Sequence, residues 1–363
     1  MGFLKKLLGG KDKPAVTDYA SFWAWFSENA NQFHKIVSSN NDVEEKLLDK
    51  VIAVLKQINE HFFCLVGMYD DDTAEMVITV DGDIKSIVFA EEIVAAAPSL
   101  KGWKFTALKP SLGFEMSIGM DGYTFDKDNI FFVNNEDARY PDEIDLTLVH
   151  KDYSEKNERS IGNGSLIYLD NALGELNTVM LIDNLSVGAA PEEEDKLIPI
   201  AKLAEFLQWR EKEFVEKYQG IRYNTENDEY SIMEGHDKDN LPVVAAVNQR
   251  LMEWDAKPSH PWMMAIEIKY DGKNRNGMPT NEVHLLMGEF EDELAKVLTD
   301  ADGYLNLGRE TYNSSRTFFI ACKEFRNASK RTSEVIATYK DKLDIEYGIY
   351  KDKYWRTMNR FQQ

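Results

Sequence analysis

The sequence predicts an α+β protein of more than one domain, with helices and strands alternating most regularly over its last hundred residues. Three observations predict this. A chain of 363 residues is too long for one ordinary core. Its 43% hydrophobic, 12% aromatic and 29% charged residues are the composition of a folded protein, neither disordered nor membranous. Apolar residues also recur at two periods, three to four residues in some segments and two in others.

The opening stretch, MGFLKKLLGGKDKP, is basic and briefly amphipathic through Phe3, Leu4, Leu7 and Leu8. It is too short for a stable helix or a secretory core, and Lys6 stands where a myristoylation signal needs Ser or Thr. Residues 1–14 therefore read as a flexible tail. Asp18 ahead of Tyr19, Phe22, Trp23 and Phe26 predicts an amphipathic helix ending near His34, its aromatic stripe facing a core. Asn41 or Asp42 caps a second helix, with Leu47, Leu48, Val51, Leu55 and Ile58 on one face. Strands follow at 61–69 and 75–80 around the turn formers Asp70–Thr73, and a short helix near 86–97 stops before Pro98.

From 103 to 187 the pattern reads mostly as strands, at 103–107, 130–134, 143–150, 165–170 and 178–186. A helix from about Pro199 to Tyr218 carries Leu203, Phe206, Leu207 and Phe214. Short polar strands then lead to a helix introduced by Pro242, with Val243, Val244, Val247, Leu251 and Trp254. Lys257–Pro261, bracketed by two prolines, is the best linker in the chain.

The last hundred residues are the clearest. A strand at 262–270 leads to a helix at about 280–299, faced by Leu285, Leu286, Phe290, Leu294 and Val297. Strands at 303–312 and 316–322 flank Asn313–Ser315, and a helix at about 328–341 precedes a strand at 343–350. The order β-α-β-β-α-β is that of the ferredoxin-like fold. The expected organisation is a basic tail over 1–14, a larger acidic α+β region over 15–257 with any internal break near 190–220, and a ferredoxin-like domain over 258–363.

Net charge is −21, from 63 acidic and 42 basic residues, and it is unevenly spread. Residues 111–259 hold 31 acids against 14 bases, whereas 260–363 balance. This excludes a generally basic nucleic-acid or anionic-lipid binder. It fits either a solvated face or the capture of a basic protein partner.

Complete catalytic or metal motifs are not found. Cys64 and Cys322 lie in apolar runs and read as small hydrophobes, so neither a disulfide framework nor a cysteine-rich zinc site is expected. The six His lack zinc-hydrolase spacing, and both DKDN tetrads, at 126–129 and 237–240, are followed by Ile130 and Leu241 where a calcium loop needs an oxygen ligand at its fifth position. Gly162-Asn-Gly164-Ser165 is not a nucleophile elbow, and neither phosphate-cradling glycine pattern is present. No cofactor is expected. An RNA-recognition domain would share the C-terminal strand order, but adjacent Phe318 and Phe319 must face opposite sides of a sheet, and the domain is neutral. No apolar stretch reaches the ~18 residues of a membrane-spanning helix, so a cytoplasmic protein without stable membrane association is expected.

Pro261-Trp262, Gly277-Met278-Pro279, Glu282 and Glu291-Asp292-x-Leu294 form a distributed pattern. It continues through Leu307-Gly308-Arg309-x-Thr311, Arg316-x-Phe318-Phe319 and Asp352-x-x-Trp355. On these residues the stretch of about 258–360 resembles the uncharacterised bacterial domain of unknown function family 695. The resemblance implies no catalytic residues. In some longer chains of that family a domain similar to the ribonuclease E inhibitor B proteins lies alongside, which would imply an acidic regulator of an RNA-processing enzyme. The residues put forward as a binding cluster are Arg309, Arg316, Glu289, Glu291, Asp292, Asp352 and Trp355, with no catalytic or metal-ligating residue assigned. The expected function is a non-enzymatic binding or regulatory protein whose acidic middle engages a partner, its last domain serving as a second surface or forming a homodimer. The rivals are an enzyme of unfamiliar type with a carboxylate/arginine site, and an antagonist of a basic toxin or ribonuclease.

Overall fold

The computed structural model of the chain describes residues 16–361, so the tail expected over 1–14 lies outside the described residues. There are two compact units, one ending at Pro110 and the other starting at Ser111. The first contains α1 (Tyr19–Ser39), a π-helical turn leading into α2 (Asp49–Leu55), β1 (Phe63–Met68), β2 (Ala74–Thr79), α3 (Ile84–Ala95) and β3 (Trp103–Ala107). Its sheet runs β1-β2-β3, the first pair antiparallel and the second parallel. The Asp18 carboxylate accepts the Ser21 N–H at 2.8 Å and so caps α1. Phe22, Trp23, Phe26 and Phe33 are buried at helical spacing, and Phe26 meets Trp103 edge-on at 5.0 Å. The helix passes His34 and runs to Ser39, because nothing breaks it before Asn40 turns into the left-handed region at φ 49°.

The second unit starts with β4 (Ile118–Met120), β5 (Tyr123–Phe125), β6 (Ile130–Asn134) and β7 (Asp145–His150). Then come α4 (Glu158–Leu173), α5 (Glu175–Leu181), β8 (Asn184–Val187), β9 (Ile198–Pro199) and α6 (Leu203–Tyr218). A four-stranded sheet, β8-β7-β6-β9, packs Phe132, Leu146 and Leu148 against α4 and α6. Two strand expectations are corrected here. Residues 165–170 lie inside α4, where Ile161, Ser165, Tyr168, Leu169 and Ala172 are buried at intervals of three and four. Residues 178–186 are split between α5 and β8. Gly164 is required inside α4, because a Cβ there would meet the buried Phe125 ring at 2.0 Å.

The remainder comprises β10 (Tyr230–His236), β11 (Pro242–Asn248), α7 (Gln249–Met252), β12 (Trp262–Lys269), α8 (Asn281–Val297), β13 (Tyr304–Tyr312), β14 (Ser315–Cys322), α9 (Arg326–Tyr339) and β15 (Asp344–Lys351). A 3-10 turn at Arg356–Phe361 follows. One antiparallel sheet takes in all six strands in the order β10-β11-β13-β14-β12-β15. The helix expected after Pro242 is corrected to β11 plus a single turn. Its β-branched Val243, Val244 and Val247 pair across to β13, with Val244 opposite Thr311.

Both faces of this sheet are covered. On one, α8 sets Phe290 against Phe318, and Thr332 of α9 reaches Met264. On the other, Phe319 packs with Trp355, Met358 and Phe361. Phe318 and Phe319 are only 2% and 3% exposed, so no aromatic platform for stacking bases is presented there. Gly308, at φ 139°, sits at a bulge in the β13–β14 ladder, and a Cβ there would come within 2.2 Å of the Ala246 carbonyl oxygen on β11. Among the described residues no helix is long and apolar enough to cross a membrane. No three His, Cys, Asp or Glu among them are grouped to hold a metal ion.

Candidate functional site

The two arginines singled out in the sequence share the α8 face of the sheet. Arg316 on β14 lies directly opposite Thr311 on β13, two residues beyond Arg309. It is 4% exposed, its Nε donates to Thr311 Oγ1 at 2.9 Å, and a terminal guanidinium nitrogen meets His284 Nδ1 on α8 at 3.1 Å. Arg309 pairs with Glu291 of α8. Among the described residues the buried guanidinium is therefore hydrogen-bonded to neutral groups alone. Burial first, then the charge of Arg309, lowers the Arg316 pKa. Burial followed by Arg316 and Arg309 does the same to His284, which favours a neutral imidazole whose Nδ1 accepts from Arg316.

The other proposed residues lie elsewhere. Glu289 and Asp292 are exposed on α8, where their charges act on Tyr339 rather than on the arginines. Asp352 accepts the Arg356 and Thr357 N–H groups at 2.7 and 2.9 Å and so starts the final 3-10 turn. Trp355 is 1% exposed, and its indole N–H donates to the His260 carbonyl at 3.0 Å. Arg309, Arg316 and Glu291 thus come together, joined by His284, while Asp352 and Trp355 organise the opposite face.

A second feature lies away from these arginines. A cleft of about 530 Å³ opens between the second half of α6, the end of α5 and the end of β15, with Phe214, Trp262 and Met180 among its apolar walls. Lys351 ends β15 and Lys353 follows two residues later, with side chains only 9% and 6% exposed. Both turn to the buried Asp183 carboxylate, Lys351 at 3.2 Å and Lys353 at 2.7 Å. The Lys351 contact is within ion-pair reach, but Asp183 Oδ1 is not aligned for a hydrogen bond. Lys351 donates instead to the Met180 carbonyl at 2.6 Å, and Lys353 to the Asp142 carbonyl at 2.7 Å. Burial pushes the Lys351 amine down to about 8, against the attraction of Asp183 and aided by the charge of Lys353.

Neighbouring acids are already engaged. Burial works against the Asp142 carboxylate, but Lys217, Tyr354 and Tyr218, which all donate to it, outweigh that and hold its pKa low. Burial raises the Glu143 pKa, opposed by its partner Arg356. Sequence reasoning missed this cleft. Its one local signal is Asp183, a lone charge in the apolar run Leu181-Ile182-Asp183-Asn184-Leu185.

A mixed α+β unit with a six-stranded antiparallel sheet, a buried arginine cluster and a lysine-lined cleft defines the structural class. Residues 225–361, from just before β10 to the final turn, match the Family of unknown function (DUF695). No curated protein matches the chain, and neither does any solved structure.

Proposed function

We propose that the protein is a non-catalytic binding or regulatory protein whose acidic part engages a basic protein partner. The observation that carries this reading is where the unpaired acid sits. Residues 111–201, which contain the β8-β7-β6-β9 sheet and α4, hold 19 acidic against six basic residues. Asp121, Asp128, Glu136, Asp152, Glu155, Glu158, Glu192 and Asp195 are exposed there and form no ion pair among the described residues. Their field extends over roughly a Debye length of ~8 Å at physiological salt and steers a basic surface inward. Leu112, Leu166 and Ile167, exposed by 61%, 42% and 43%, add apolar contact area.

Within 262–351 the order β-α-β-β-α-β, with strands arranged β13-β14-β12-β15, supports a ferredoxin-like unit widened by the β10–β11 hairpin. In this reading it serves as a second binding surface or a homodimer contact, and the cytoplasm is its compartment. The test is quantitative crosslinking in native lysate, comparing the chain with an Asp152→Lys, Glu155→Lys, Glu158→Lys variant. Saturable, salt-sensitive capture of basic proteins that the variant loses is the expected result. Identical capture by both proteins at low and high salt refutes the reading. An antagonist of a basic toxin or ribonuclease is a special case of it.

The enzymatic rival has one observation in its favour, the buried Arg316 beside Arg309, hydrogen-bonded among the described residues only to neutral partners. Two guanidiniums suit a phosphate or carboxylate substrate. Turnover of such a substrate that Arg309→Met abolishes without unfolding the chain would establish it.

A further inference from the structure

We propose that the cleft beside Lys351 and Lys353 is a binding site for a small oxyanion carried on an apolar body. Charge is the first argument. Two buried ammonium groups share one carboxylate, that of Asp183. Asp142 is engaged by Lys217 and two tyrosines, and Glu143, whose field reaches Lys353, is paired with Arg356, so neither touches the lysine pair with its carboxylate. Glu211 acts on Lys351 only through its field. One positive charge is thus left in a site largely removed from water, where an anion is the natural complement.

Hydrogen bonding is the second argument. An ammonium has three N–H groups. Lys353 uses two, on the Asp142 carbonyl and Asp183 Oδ2. Lys351 has one short bond, to Met180, and a long one to the Ile182 carbonyl at 3.5 Å. Lys353 therefore keeps one donor for an incoming oxygen, and Lys351 can turn its third N–H to one from the poorly aligned Asp183 Oδ1 at 3.2 Å. The cavity volume of about 530 Å³ is that of small-molecule sites, and Phe214 and Trp262 offer ring surface for an apolar body. Lys323, exposed on the rim, adds a third cation at the entrance.

Binding also has a proton signature. An anion favours the charged form of Lys351, so the complex takes up a proton where the free amine is partly neutral. Asp183, Lys353 and Glu211 act on that amine, and Asp142, Arg210, Glu213, Glu216, Lys217 and Lys323 are the other charged groups lining the cleft. Affinity is full below about pH 8 and falls above it, as the amine loses its charge.

The experiment titrates the full chain calorimetrically with phenyl phosphate, benzoate, inorganic phosphate and the neutral analogue benzyl alcohol, in buffers of different ionisation enthalpy. Saturable one-to-one binding of the first two is expected, at least about tenfold tighter than inorganic phosphate, with buffer-dependent heat near pH 8. Benzyl alcohol is not expected to compete. Lys351→Met should weaken binding by about tenfold or more. Should that variant unfold, the pH profile of the unmodified chain decides the matter alone. Absence of saturation, equal affinity for benzyl alcohol, or affinity unchanged from pH 7 to pH 10 overturns the proposal.

Discussion

Lys351 offers a direct energetic test that needs no ligand. Its amine is buried at the end of β15, and its pKa falls from an ordinary 10.5 to about 8. The unfolded chain holds this proton up to the higher value, and the folded chain releases it near the lower one. Stability therefore rises with pH between the two, and the penalty is largest below about 8. An amine so displaced opposes folding by about 3 kcal/mol at pH 7. Between pH 7 and pH 9 the chain should thus gain about 1 kcal/mol relative to Lys351→Met, which carries no proton to lose. The difference between the two proteins cancels the titrating groups that do not interact with Lys351. A suitable reporter is Cys322, fully buried in β14 of the same unit. The urea midpoint at which its thiol becomes open to alkylation, read from the mass of its peptide, follows this unit apart from the first. Parallel pH dependence in the two proteins would refute the assignment of an uncompensated buried charge to Lys351.

Other consequences are simpler. Gly308→Ala would place a methyl within 2.2 Å of the Ala246 carbonyl at a backbone angle of φ 139°, and should destabilise the sheet by about 3 kcal/mol or more in denaturant titration. Burial, with the charge of Lys323, holds the His260 pKa down to about 4. Its contribution is fully present above 6.5 and is lost as pH falls toward about 4, by up to about 3 kcal/mol, so thermal melts of His260→Asn should be less acid-sensitive than those of the unmodified chain.

The sequence was most legible where one period ran uninterrupted. The strands and helices after Pro261 were placed to within a residue or two, because polar turns such as Asn313–Ser315 separate runs of clear alternation. Periodicity misled in two places. Val243, Val244, Val247 and Leu251 fit a helical stripe as well as a strand, and only pairing with β13 decides between them. Leu166–Leu169 is a short apolar run whose helical burial is visible only once Gly164 and Phe125 are brought together. The Arg309–Arg316 proximity followed from the hairpin. The Lys351–Asp183 pair did not, since its members are 168 positions apart, one just before β8 and the other at the end of β15. Long-range charge pairing leaves no local trace.

The order of strands in the large sheet has a consequence for how the chain is made. β12 lies between β14 and β15, with Trp262 opposite both Cys322 and Lys351. Its neighbours are thus synthesised some sixty and ninety residues after it. β10 and β11 likewise emerge well before β13, the strand that joins them to the rest. During translation the early strands have only each other, and β12 waits with both edges unpaired. Such distant pairings close slowly, because loop entropy must be overcome before any contact rewards it. The sheet therefore matures late, and its edge strand β15, which carries Lys351, is the last to leave the ribosome.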